Sequence, residues 1–370
     1  MMHDYCLQTP SAPTKMSSAV QCNVMTESKS TQTTLFTKTF KHVGINTFKI
    51  VTFKHCSSQT DLVDSVNADT QTKRPTLVYE DLKNKEKKLN FYTGIQSAAA
   101  FEIIFDELST NEKELKKHVG KRKELRWIDE FFLVLMRLRL GLLLCDLADR
   151  FCISISTCGN LFERWTVFLY VNFSQLVQWP TREQIRATMP HSFVHHFPRC
   201  RVIVDCTELF TRTPASLISQ SLAYSHYKSN MTWKALIGIT PNGVLSFVSD
   251  LWLGSISDQQ IVLKSGLLDL LEKGDAILAD KGFDMAKHTA ERGIELIIPP
   301  KKKKANQMLA RDIILTRRIA SLRIHVERYM ARVKKFRILN NVLSTTTKAN
   351  EIWHVCNALT MFMPPLNPRK

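Results

Sequence analysis

Paired cysteines are what this sequence of 370 residues most plainly lacks: its nine cysteines are scattered, and none forms a Cys-x-x-Cys pair. An odd number without close pairing argues against a disulfide framework or a zinc ribbon, and for reduced thiols in the nucleus or cytosol. The one local grouping, His195, His196, Cys200 and Cys206, has no usual zinc-ligand spacing, so thiols buried beside a strand are the simpler expectation. A membrane-length apolar run is also missing, because Arg137 and Arg139 interrupt the most apolar stretch, Phe131–Cys145. No membrane is therefore expected as a partner, and the opening residues do not read as a signal peptide. Acids are scarce beside bases, 34 against 51, which leaves a formal charge of +17. An excess that large favours a polyanionic partner, nucleic acid being the commonest, although a generally basic soluble protein meets the same count.

What is present reads as a globular chain of two or three domains behind a polar tail, with 44% hydrophobic and 23% charged residues. Residues 1–88 are rich in Ser, Thr, Gln and Lys, end in the charge run Lys83–Lys88, and predict a disordered tail. Within it, Phe40–Phe53 has the Val, Ile and Phe content for a strand or two. Residues 89–198 predict a helical region, with apolar helical spacing over Phe91–Leu108 and Leu125–Leu144. Inside it, about 125–171 suggest a helix-turn-helix. Leu144, Leu147 and Ala148 line a short helix, Arg150–Ser154 turns, and Ser154 or Ser156 caps a second helix carrying Leu161, Trp165, Phe168 and Leu169. A plain helical hairpin would show the same pattern.

After Pro198 the period changes to that of strands, and residues 199–366 predict an α/β domain with a mixed sheet. Arg201–Asp205 is a short strand ending in an acid, and Thr232–Thr240 with Val244–Leu253 is a hairpin turned at Asn242-Gly243. A helix over Gln259–Leu271, strands at Ala276–Asp280 and Ile294–Pro300, and a long helix from about Met308 to Phe336 complete it.

Three acids stand out by position. Asp205 and Asp280 each close an apolar strand, and Glu327 lies within the long helix. Strand ends are where α/β folds tend to place their sites. Phosphodiester cleavage needs an activated water and a counter-charge for the leaving oxygen. Two divalent ions about 3.5–4 Å apart supply both, and a few carboxylates hold them. Singly each acid has a structural explanation: a turn cap for Asp205, the start of a turn for Asp280, a pair with Arg323 or Arg328 for Glu327. Jointly, the order strand, strand, helix is that of a metal-nuclease sheet.

The motifs LRLGLLLCDLADRF, QWPTREQIRATMP, VDCTELF, YSHYKSN, FVSDLWLGSISD, GDAILADKGF, IPP and TRRIASLRIHVER with VKKFRIL follow one another from about Asp129 to Pro365. In that order they resemble the Harbinger-like DDE superfamily of transposases, in the branch often fused to THAP zinc fingers. The resemblance implies an RNase H-like fold, a helix-turn-helix ahead of it, and the catalytic and metal-binding triad Asp205, Asp280 and Glu327 holding two ions of magnesium or manganese. It implies a metal-dependent DNA endonuclease or transposase. The alternative is a domesticated, non-cutting DNA-binding or scaffold protein that keeps the fold. No THAP-type zinc set is matched, since Cys6, Cys22 and Cys56 have neither the spacing nor a partnered histidine.

Secondary candidates surround this core. Glu208, Asp258, Lys228 and Arg323 are auxiliary candidates, with His226 and Tyr227 beside Lys228. Arg164, Lys301, Lys302, Lys303, Lys304, Lys334 and Lys335 are candidates for contact with DNA. The tetralysine also resembles a nuclear localisation signal, which makes the nucleus the expected location. Lys29–Thr33 and Ala68–Thr72 resemble the TQT motif recognised by the dynein light chain, with Ser57–Asp61 a weaker copy; a Ser/Thr/Gln-rich linker contains such triplets by chance. A homo-oligomer is left open.

Overall fold

A computed structural model describes residues 75–111, 125–300, 308–344, 348–364 and 366, all within one unit spanning Gln71–Lys370. The tail segments, the TQT triplets and the tetralysine Lys301–Lys304 lie outside the described residues.

The helical region begins earlier than the predicted boundary at residue 88. Helices span Glu80–Lys83 and Glu86–Thr93, so the Lys83–Lys88 charge run is the polar face of folded structure. What the polar composition hides is three well-spaced anchors, Tyr79, Leu82 and Leu89, all buried. Tyr79 donates its backbone N–H to Asp129 Oδ1 at 3.1 Å and stacks on Phe101 at 4.4 Å. The helix Ala98–Thr110 follows, with Ser97 as its cap.

Trp127–Leu140 is the central helix of this region, with Phe131–Met136 wholly buried. Its apolar composition reflects burial on every side, and no helix among the described residues is long and apolar enough to cross a membrane. The next two helices are Leu144–Phe151 and Ile155–Phe173, joined by a tight turn with Cys152 in the left-handed region. Ser154 caps the second, accepting from the Thr157 N–H at 3.0 Å. This helix-turn-helix precedes an RNase H-like mixed α/β domain.

Seven strands form its sheet among the described residues: β1 (Cys200–Phe210), β2 (Tyr224–Ser225), β3 (Asn230–Ile239), β4 (Leu245–Val248), β5 (Trp252–Leu253), β6 (Ala276–Leu278) and β7 (Glu295–Ile297). The path runs β2-β3-β1-β6-β7, with β4 and β5 both on β3. β1 is antiparallel to β3 and parallel to β6, and β6 is parallel to β7. The predicted hairpin turns where expected: Gly243 has φ 86° and its N–H donates to the Thr240 carbonyl at 2.8 Å. Its return strand is split into β4 and β5, and the helix predicted over Gln259–Leu271 stops at Lys264, before Gly266 in the left-handed region.

Alternation along the strands divides the core. Ile203, Ala235, Ile237, Ile239 and Leu278 face the helical layer, with Ile319, Leu322 and Val326 of the long helix Ala310–Val333. Val202, Val204, Leu236 and Ile277 face a thinner layer holding Ile261, Val262, Phe283 and Met285.

Candidate active site

Register and one helix crossing bring the three acids together. Ile203 of β1 pairs in parallel with Leu278 of β6, and Asp205 and Asp280 each stand two residues further on. They therefore sit at matched heights where β6 has ended and the β1 edge opens. β1 itself does not stop at Asp205 as predicted. It continues to Phe210 because β3 supplies backbone partners along that length, including Asp205 opposite Ile237. Glu327 arrives on the long helix, which packs against β1 and is anchored by Tyr329, with Oη 2.7 Å from Thr360 Oγ1.

At the point of convergence is Arg323, one turn before Glu327. Its Nη1 donates to Asp280 Oδ1 at 3.0 Å, while Nη2 lies 3.8 Å from Asp205 Oδ2 and 4.0 Å from Glu327 Oε1. The Arg323 side chain is 12% exposed, and its buried Nε has no hydrogen-bond partner. Asp205 is the most enclosed acid, 23% exposed against 51% for Asp280 and 58% for Glu327. Burial pushes its carboxyl up to about 6; Arg323 and the Cys206 N–H oppose this, while Asp280 and Glu327 push it further up.

The donor set is three hard carboxylates around one positive charge, oxygen ligands of the kind that suit a hard divalent cation. Among the described residues, no three His, Cys, Asp or Glu side chains lie close enough to hold an ion as they stand. Here the guanidinium spaces the carboxylates apart. The residues fit a divalent ion in kind and direction, and an ion would have to replace Arg323 between them.

The auxiliary candidates divide. Lys334 is half-buried at the end of the long helix. Burial and the nearby Lys228 hold its pKa below the usual lysine value, and Glu208 and Asp205 oppose this. Lys334 and Lys228 thus belong to the surroundings of the acids, while Lys335 is exposed beyond them. Lys228 Nζ lies 4.8 Å from the centre of the Tyr227 ring. Glu208 accepts from Thr232 Oγ1 at 3.0 Å. Asp258 is instead paired with Lys234 at 2.6 Å, near Cys206, whose side chain alternates to the face opposite Asp205.

Arg164 is not where a DNA contact needs it. Its Nη2 donates to buried Glu130 Oε2 at 2.9 Å, so it braces the helical layer. The exposed face of its helix carries Ser156, Asn160, Glu163, Val167 and Val171, with no cation among them. A 3.6-residue period places Arg164 between faces, and the sequence alone carries no sign that Glu130 claims it.

Residues 204–361, which include Asp205, Asp280 and Glu327, match the family described as DDE superfamily endonuclease. Residues 123–175 match the helix-turn-helix of DDE superfamily endonuclease. Between them the two matches take in more than half the chain. No curated protein and no solved structure matches it.

Proposed function

Since the chain belongs to the DDE superfamily of endonucleases and carries that superfamily's helix-turn-helix, we propose that it cuts DNA at the Asp205, Asp280 and Glu327 cluster with divalent metal ions. The observation that carries this reading is the convergence of three carboxylates, from one strand, the residues just past another and a helix, on a single cation. Asp205 would hold both ions, Asp280 and Glu327 mainly one each. Two bound magnesium or manganese ions would supply an activated water and a counter-charge for the leaving oxygen. The protein's own contribution is orientation and electrostatics. β1 fixes Asp205, the helix anchored at Tyr329 fixes Glu327, and Arg323, once out from between the acids, would meet a DNA phosphate together with Lys334.

The motif run that resembles the Harbinger-like branch supports placing the chain there within the superfamily. The helix-turn-helix and the +17 charge support DNA as partner. With no cation on the outer face of the second helix, phosphate contacts elsewhere carry the affinity, and binding should weaken steeply with added salt. The tetralysine Lys301–Lys304 supports nuclear location.

A second reading, a DNA-binding protein that no longer cuts, draws on Arg323 occupying the centre of the cluster. Supercoiled plasmid incubated with the full chain and magnesium or manganese separates the two. Nicked or linear product that vanishes with chelator supports cleavage. Retention of the plasmid on the protein without product supports the second reading.

A further inference from the structure

At the far end of the sheet from the three acids lies a second charged pocket, of about 220 Å³. It forms where β1 and β6 begin, between the helix Arg182–Thr188 and the turn Lys273–Asp275. Arg201 stands four residues before Asp205 on β1, roughly 13 Å along the strand at the usual rise. The cations lining the pocket are Arg182, Arg186, Arg199, Arg201 and Lys273, and the one lining acid is Asp275.

Most of these groups are already committed. Arg182 Nε donates to Asp275 Oδ1 at 2.8 Å, its Nη2 donates to the Lys273 carbonyl at 2.8 Å, and its Nη1 lies 3.3 Å from Glu272. Arg199 pairs with Glu295 at 2.6 Å. Asp275 Oδ2 accepts from the Glu272 N–H at 2.9 Å, which leaves it 3.7 Å from Arg201 Nε. Arg201 is 4% exposed, and both its Nε and Nη1 lack a hydrogen-bond partner. Its guanidinium lies 5.5 Å from the Trp179 ring centre, a contact that offers no acceptor lone pair. A buried guanidinium stays charged, and folded proteins seldom leave such donors unmet.

Five cations against the carboxylates of Asp275, Glu272, Glu295 and Glu183, the last beside Arg186 and Arg201, leave an excess of one positive charge. The space is several times what a single water occupies, roughly 30 Å³. An oxyanion with several acceptor oxygens matches both the positive excess and the unmet donors, and a phosphate is such a group. We propose that this pocket is a phosphate-binding site, with Arg201 as its buried anchor and Arg186 and Lys273 as its exposed arms. The site stands on its own residues and does not depend on the cleavage reading.

The test uses the full chain, titrated with inorganic phosphate and with pyrophosphate at constant ionic strength set by chloride. Calorimetry and melting temperature are both followed. Saturable binding with Kd below about 1 mM is expected. Replacing both Arg186→Gln and Lys273→Gln, which are exposed, should weaken it at least tenfold while the ligand-free melting temperature stays put. Arg201→Met should abolish it; because that change can also disturb folding, the exposed pair carries the decision. Absence of saturable binding in the wild type overturns the proposal, as does a double variant that binds as tightly as wild type. The source of the phosphate is read by adding excess duplex DNA. Displacement assigns the site to a backbone phosphate, and continued binding beside DNA assigns it to a small phosphate compound.

Discussion

The helical layer and the acid cluster both set carboxylates beside arginines, buried in the first and partly open to solvent in the second, and with different arithmetic. In the helical layer Glu130 receives Trp165 Nε1 at 2.7 Å and Arg164 at 2.9 Å, and Asp129 receives the Tyr79 N–H and Arg126 Nε at 2.6 Å. Each acid there has two close donors. At the cluster, three acids share one guanidinium, and only its contact with Asp280, at 3.0 Å against 3.8 and 4.0 Å, reaches hydrogen-bond length. A fully satisfied pair locks a fold, whereas an under-satisfied group of like charges is held in place by the fold around it. The first arrangement serves stability and the second is available for chemistry.

The sharpest way to break this contrast is to remove one charge on each side. Asp205→Asn, Asp280→Asn and Glu327→Gln should each lower plasmid cleavage by about 1,000-fold or more, equivalent to ~4 kcal/mol in the barrier. Melting temperature should stay near wild type for the two exposed acids, and Glu291→Gln, on an exposed helix position, should cut normally. A folded Glu327→Gln protein cutting at the wild-type rate would sink the assignment. Glu130→Ala should do the reverse. It strands Arg164 and Trp165 Nε1 and should cost roughly 3 kcal/mol of stability, read by denaturant unfolding, with metal binding by the folded fraction intact.

A pH series sharpens the same comparison through Asp205. Its folded carboxyl, at about 6, lies above the ordinary 3.8. The folded state therefore binds the proton more tightly, and this group's contribution to stability declines as pH rises from about 4 to 6. In chelator, Asp205→Asn should thus be more stable than wild type above pH 7 by up to about 3 kcal/mol, and equal to it near pH 4. Equal stability of the two proteins at pH 8 would show that burial does not strain this acid. The smallest effect expected is at the shared cation. Arg323→Gln removes the competitor for the three carboxylates and should tighten manganese binding by about tenfold, ~1.4 kcal/mol, measured by calorimetry. Weaker binding would mean that Arg323 orients the acids and does not compete for their centre.

Several elements were legible because their signals are local. Ser154 opens a helix by accepting an N–H three residues on, and Asn242-Gly243 turns a hairpin because Gly243 takes a positive φ. Boundaries were less so. The Lys83–Lys88 run reads as tail, yet Tyr79, Leu82 and Leu89 hold it to the core, because three well-placed apolar residues outweigh polar composition. β1 runs past Asp205 because a neighbouring strand, not its own residues, provides the hydrogen bonds.

The sequence by itself determined the charge excess, two helices joined by a tight turn, and the order strand, strand, helix in which the three acids occur, since all of these follow from residue type and short-range period. Only the tertiary structure decided what each charge faces. It set Asp205 and Asp280 level through the β1–β6 register and put Arg323 between them and Glu327. It also turned Arg164 inward onto Glu130 and gathered Arg182, Arg186, Arg199, Arg201 and Lys273 around one pocket. The physical reason is that electrostatic partners are chosen by distance in space, which strand pairing and helix crossing set and spacing along the chain does not.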